Sequence, residues 1–175
     1  MIAKKHVDYE IRQEEKTHGR SITRSGSQQA SIESVELLVD DNPVNAIASG
    51  DSATIRITGK AHSPIAELTV GILIRDRLGN DVFGTNTFHH DASGQNILTG
   101  ENFVTEFRFP SLRLGSGSFS VTVALHRGND HTAGNYDWWD RALVFQAVPS
   151  DAPLSIGVCS FPVSVGWNAV HKPHL

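Results

Sequence analysis

Leu68-Thr-Val-Gly-Ile-Leu-Ile-Arg-Asp-Arg-Leu-Gly-Asn-Asp-Val-Phe-Gly-Thr-Asn-Thr87 is the stretch around which the chain is organised. Leu68, Val70, Ile72 and Ile74 stand at alternate positions, which puts all four on one face of a pleated strand. Asp76 to Asp81 supplies turn chemistry, with Gly79 and Asn80 able to take positive φ at little cost. Val82-Phe83-Gly84 then reads as a short returning strand, so the stretch predicts a β-hairpin.

The same period of two recurs on both sides of the hairpin. Upstream, Ile32 to Val39 places Val35, Leu37 and Val39 on one face, and Ala53-Thr-Ile-Arg-Ile-Thr-Gly puts Ile55 and Ile57 inward with Arg56 outward. Downstream, Phe103, Thr105, Phe107 and Phe109 alternate with Val104, Glu106 and Arg108, and Pro110 ends that strand because it has no N–H to donate. Phe119, Val121, Val123 and Leu125 form the next inward row, and Arg141 to Val148 carries Phe145 inward. Seven or so short strands with frequent turn signals and no convincing helix predict two antiparallel sheets packed as a sandwich. The pattern alone also fits a jelly roll.

The flanks read differently. Residues 1–30 are polar and mixed in charge, with apolar residues too sparse to bury much. Ile11 to His18 has a weak helical pattern, but Gly19 and Ser25-Gly-Ser favour a linker, so 1–30 is expected to be a tether. On that reading, deleting residues 1–25 leaves stability and ligand affinity unchanged. Residues 31–148 form the sandwich domain. Residues 149–175 are a stiff Pro-Ser-Asp-Ala-Pro linker followed by a segment of strand composition, Ile156-Gly-Val-Cys-Ser-Phe-Pro-Val-Ser-Val. Such an apolar strand must pair with something. Extended geometry before each proline disfavours a tight return. The expected partner is a second subunit, giving a two-fold homodimer with exchanged C-terminal strands; the alternative is the chain's own sheet, joined as an eighth strand.

Composition narrows the function. The 175 residues suggest one domain, long enough to bury about two-thirds of its unfolded surface. Net charge is −4, so there is no basic surplus for a nucleic-acid partner. One cysteine, Cys159, forbids an intrachain disulfide and suits a reducing compartment. No apolar run reaches membrane-spanning length and the N-terminus lacks a signal peptide's apolar core, so a cytoplasmic protein is expected.

An apolar strand ending in Arg75-Asp76, a Gly-containing turn and Val82-Phe-Gly-Thr-Asn-Thr87 resemble the C-terminal carbohydrate-binding module of Wzt. Wzt is the nucleotide-binding subunit of ABC transporters that export bacterial O-antigen. The likeness continues through Phe107-Arg-Phe-Pro, Leu112-Arg-Leu-Gly-Ser-Gly-Ser-Phe-Ser-Val, Tyr136-Asp-Trp-Trp-Asp-Arg-Ala and Phe145, and covers roughly residues 31–148 in matching order. It implies an immunoglobulin-like antiparallel β-sandwich that binds O-antigen polysaccharide without catalysis or cofactor. It also implies an ATPase domain and a membrane subunit as partners at the cytoplasmic side of the inner membrane. No Gly-x-x-x-x-Gly-Lys-Ser/Thr occurs, so the ATPase is not in this chain, and Met1 is expected to begin a separated module.

Several residues are candidates for chemistry. Tyr136-Asp-Trp-Trp-Asp140 is the best binding segment, because sugar C–H faces pack on indole rings and hydroxyls pair with carboxylates. Trp138 and Trp139 are adjacent and cannot both face the core of a strand, so one ring is exposed, at an interface, or plugging the end of the sandwich. Arg56, Thr69, Glu106, Arg108, Thr122 and His126 lie on outward faces. The candidate sugar contacts are therefore Tyr136, Trp138, Trp139, Asp140, His126, Arg108, Glu106 and Thr122. Nine histidines invite a metal reading, but His89-His90-Asp91 points to opposite faces in a strand, and His126 and His131 lack ligand spacing. A structural or ligand hydrogen-bonding role is expected instead, and no metal. Asp76 and Asp81 flank a turn that favours Asp in any case. Against the binding module stand a protein–protein interaction sandwich and a glycosidase using two of Glu101, Glu106, Asp137 and Asp140. No Gly-x-Ser-x-Gly elbow is present, and Cys159 has no nucleophile signature.

Overall fold

The computed structural model describes residues 10–17, 20–129 and 134–167, with side chains from residue 24 onward. His131 lies outside the described residues. Twelve strands occur among them: β1 (Glu10–Thr17), β2 (Arg20–Gly26), β3 (Ala30–Val39), β4 (Asn42–Val44), β5 (Ala46–Ala48), β6 (Ala53–Ala61), β7 (Ile65–Asp76), β8 (Asp81–Asn86), β9 (Gly94–Ile97), β10 (Asn102–Phe109), β11 (Gly117–His126) and β12 (Asn135–Val148). The larger sheet runs β1-β2-β12-β11-β7-β8, with β5 beside β12 and β9 beside β7, and the smaller runs β10-β6-β3-β4. All pairings are antiparallel except β5 with β12. The expected all-β sandwich is what forms.

Its core is the sum of the alternating rows. Leu68, Val70, Ile72 and Ile74 of β7, Val121, Val123 and Leu125 of β11, and Ile55 and Ile57 of β6 are all buried. Phe119 and Phe145 stack across β11 and β12 with ring centroids 5.9 Å apart. Each such side chain contributes about 1.5–3 kcal/mol on leaving water. Register adapts to the pattern in β3, where a bulge between Ile32 and Ser34 lets Ile32 face the core although it is odd-spaced from Leu37's row through Val35.

The hairpin turn is built as its residues require. Gly79 has φ +89°, and the Asp76 carboxylate accepts from the Leu78 and Asn80 backbone N–H groups and from Asn80 Nδ2, at 2.8–2.9 Å. The hydrogen bond from the Asn80 side chain, with those from the backbone, holds the Asp76 carboxyl below the usual carboxylate range.

Both flanks depart from expectation. Glu10–Thr17 is a strand, not a helical turn, because it pairs with β2 as a hairpin. β2 in turn pairs with β12 at Trp138↔Ser25 and Trp139↔Arg24, so the supposed tether docks. The physical reason is polar. Arg24 donates from Nε and Nη2 to the wholly buried Asp137 carboxylate at 3.0 and 2.6 Å, and Ile32 N–H donates to the same group at 2.8 Å. The guanidinium also lies 4.7 Å from the Trp139 ring centroid. At the other end, 154–167 forms no strand on either sheet. It touches its own domain through a bridge between Leu114 and Cys159, with Gly115 N–H donating to Val158 O at 3.0 Å and Ser160 N–H to Arg113 O at 3.1 Å. Leu154, Ile156, Phe161, Val163, Val165 and Trp167 are exposed.

Candidate functional site

The outer face of the larger sheet carries a concave site. Its floor is made of small residues, Gly71 on β7, Gly84 on β8 and Ala124 on β11, which keep the backbone accessible. The resulting cavity has a volume of about 550 Å³ and is walled by Trp138, Leu73, Arg75, His126, Asn129 and His89. A methyl group at Gly71 would sit 3.6 Å from Asn86 Cβ and 3.8 Å from His126 Nε2, so it would fit, but on the floor.

Two irregularities raise the walls. The first is a break in the edge: β8 pairs with Gly71–Arg75 and β9 with Ile65–Leu68, and between them the chain makes a 3₁₀ turn at Phe88–His90. Asn86 Oδ1 accepts from the His89 N–H at 2.9 Å, and His89 Nε2 meets Asn129 Oδ1 at 3.2 Å across the cavity rim. The second is a bulge in β12, where Val121 pairs with Leu143 but Val123 with Trp139, and Arg141 takes φ +54°. The bulge turns Asp140 toward β11 and β7. Thr122 donates to Asp140 Oδ1 at 2.7 Å, while Arg75 reaches Asp140 Oδ1 at 3.0 Å and Asp81 Oδ1 at 2.8 Å. One guanidinium is thereby fixed between two carboxylates whose remaining lone pairs can accept hydroxyl hydrogens.

The sequence candidates divide among three places. Trp138, Thr122, His126 and Asp140 come together on this face. Thr69, Thr122 and His126 point outward as expected yet are only 0%, 2% and 3% exposed, because the Thr87–Ser93 excursion and the β12 side chains cover them. Tyr136 and Trp139 pack against the core instead, Tyr136 donating to Glu67 O at 3.4 Å with its phenol pushed up by burial. Glu106 and Arg108 lie on the other sheet, on β10, where Glu106 pairs with Arg56 at 2.7 Å and with Arg108. The Arg56 guanidinium holds the Glu106 carboxyl below its usual range. Glu106, Arg108, Phe83, Thr85 and His90 line a second cavity of about 560 Å³ between β8 and β10.

The sequence model for the Wzt C-terminal domain matches residues 21–161. The chain belongs to the Wzt C-terminal domain family. Among solved structures it is similar to the crystal structure of the C-terminal domain of Wzt, at 19% identity and TM-score 0.71, over 83% of this chain and 87% of that one. That likeness bears on the fold. The CARDB domain of a Pyrococcus furiosus protein in complex with di-metal ions aligns with TM-score 0.41 at 11% identity, over 70% and 97% of the two chains, too distant to carry an argument. Comparison with curated proteins gave no match.

Gly71, Gly84, Arg75, Asp81, Asn86 and Asn129 line the candidate site or its rim but carry no binding signal in the sequence. Arg75 was legible only as part of a strand end, and the two glycines only as turn or hairpin residues. Their adjacency to Trp138 arises from β8-β7-β11-β12 pairing, which no local pattern encodes. No group of three His, Cys, Asp or Glu side chains poised for a metal occurs among the described residues. No helix among them is long and apolar enough to cross a membrane.

Proposed function

We propose that this Wzt C-terminal domain is a non-catalytic carbohydrate-binding domain that recognises O-antigen polysaccharide in the cytoplasm and couples its recognition to export. The observation that carries the reading is the partly buried Trp138 ring lining the cavity beside a glycine and alanine floor, ringed by Arg75, Asp140, Asp81, His126 and Asn129. A flat apolar ring beside charged hydrogen-bonding groups suits the two-sided character of a sugar. Family membership supports O-antigen as the polymer. The ATPase domain and the membrane subunit of the transporter are the partners in the full-length context, at the inner membrane.

The glycosidase reading loses ground. Asp137 is committed to Arg24 inside the core, Asp140 is paired on one sheet, Glu106 on the other, and the Glu101 carboxylate accepts from Leu98 N–H at 2.7 Å. The four carboxylates lie in the core, on the larger sheet, on the smaller sheet and between β9 and β10. Each is already engaged by a partner, which disfavours their acting as the opposed pair that hydrolysis needs.

Titration with purified O-polysaccharide and with unrelated glycans, followed by tryptophan fluorescence, tests the function. Saturable selective binding without release of reducing ends is expected. Trp138→Ala is expected to fold and to bind several-fold more weakly, a loss of about 1 kcal/mol or more. Trp139→Ala is expected to lose stability instead, since its ring is packed on the core and beneath Arg24. Unchanged binding by a folded Trp138→Ala variant rules the site out.

We further propose that the exposed apolar tail adds to a second subunit, giving a homodimer through the C-terminal strand. Its support is Ile156, 99% exposed, with Val163, Val165 and Trp167 also in solvent.

A further inference from the structure

We propose that the cavity between β8 and β10 is a second glycan subsite, holding the sugar units next to those on the sheet face, with the polymer crossing the sandwich edge over Thr85. This inference rests on the carbohydrate-binding reading above. β8 ends the larger sheet and β10 ends the smaller, so the cavity lies where the sandwich opens sideways. Thr85 lines this cavity and the one on the sheet face alike. Only one strand separates the two, a partition of about 5 Å by normal strand spacing.

The second cavity repeats the chemistry of the first. Phe83 is 43% exposed and is held edge-on by Phe109, with ring centroids 5.8 Å apart, so it offers a fixed aromatic surface. Around it stand the hydroxyls of Thr85, Thr87 and Thr105, the His90 ring, and the Glu106–Arg108 pair. Glu106, kept ionised by Arg56, accepts hydrogen bonds, and Arg108 donates them. The consecutive histidines are divided between the cavities: His89 faces Asn129 on the sheet face, and His90 Nε2 meets Thr85 Oγ1 at 3.0 Å on the other side. The lining sets apolar surface from Phe83, Val104 and Phe109 beside these polar groups, the two-sided character that a sugar ring presents, whereas an apolar tail would cut Glu106, Arg108 and His90 off from water without offering them partners. It also gives Glu106 and Arg108 a role that their distance from Trp138 otherwise denies them.

The test uses O-polysaccharide from the source organism, cleaved by mild acid and fractionated by size, with equilibrium binding measured for the intact chain and three variants. Wild-type affinity is expected to rise with fragment length. Phe83→Ala and Arg108→Ala are expected to leave the shortest bound fragments unaffected and to weaken the long ones by about five- to tenfold, removing the gain with length. Arg108 has a side chain 73% exposed, so its variant folds even if Phe83→Ala does not. Wild-type affinity that is flat with length, or long fragments bound normally by Arg108→Ala, overturns the second subsite alone. Trp138→Ala binding every size normally overturns the parent reading. A Phe83→Ala variant with normal glycan binding but an altered mass by light scattering assigns the cavity to a second copy and also overturns the subsite.

Discussion

At the scale of single residues, Asp137 decides more than any apolar side chain of its strand. Its carboxylate is wholly buried, and such a group is tolerated only when paired and hydrogen-bonded. Arg24, Gln28 Nε2 at 3.3 Å and the Ile32 N–H supply the partners, the first two from the segment that reads as a linker and the third from β3. Arg24 also donates to Ile32 O, tying β2 to β3 as well as to β12. Arg24→Ala leaves the charge buried without its counter-ion, so we expect a loss of about 3–5 kcal/mol, read from urea unfolding. Deleting residues 1–25 removes the same guanidinium and is expected to lower stability by a comparable amount, the reverse of what a tether predicts. Little change in either midpoint refutes the clip.

At the scale of elements, β12 joins the core to the site. Its C-terminal half aligns Phe145 and Ala147 with the core, and its N-terminal half offers Trp138 outward and Trp139 inward. The bulge at Arg141 lets both halves satisfy their own pairing. A left-handed conformation costs a non-glycine residue about 1–2 kcal/mol, and it is least tolerable for a β-branched one. Arg141→Gly is therefore expected to keep glycan binding and to leave stability unchanged or up to about 1 kcal/mol higher. Arg141→Val is expected to lose about 1–3 kcal/mol and to weaken binding by shifting Asp140. Thermal melts with parallel titrations check both; a Val variant as stable as wild type shows that the bulge is not strained.

At the scale of the molecule, the exposed tail is the feature on which the proposed dimer rests. Gly115 lies so close to the tail backbone that a Cβ there would collide with the Gly157 carbonyl, so the tail leaves the sandwich along a set path. Beyond that contact, apolar residues stay in water, an arrangement that association relieves. The intact chain is expected to be a dimer by light scattering, and a chain ending at Val148 a monomer. A monomeric intact chain, or a truncated chain that remains a stable dimer, rules out exchange of the C-terminal strand.

The sequence by itself determined the sandwich and its core. Alternation in β3, β6, β7, β10 and β11 is a local consequence of pleating, because every second side chain must leave water together. It also determined the Asp76–Asn80 turn, whose side chains bond their own backbone, and the family, through the order of its motifs. Tertiary structure alone decided the docking of β2, since a charge pair between residues 24 and 137 has no periodic signature. It alone assembled the candidate site as well. Trp138, Gly71, Arg75 and His89 meet only after strands from distant parts of the chain pair side by side. It separated Glu106 and Arg108 from Trp138 for the same reason: outwardness is readable from a strand's period, but which of two sheets faces outward with it is set by long-range pairing.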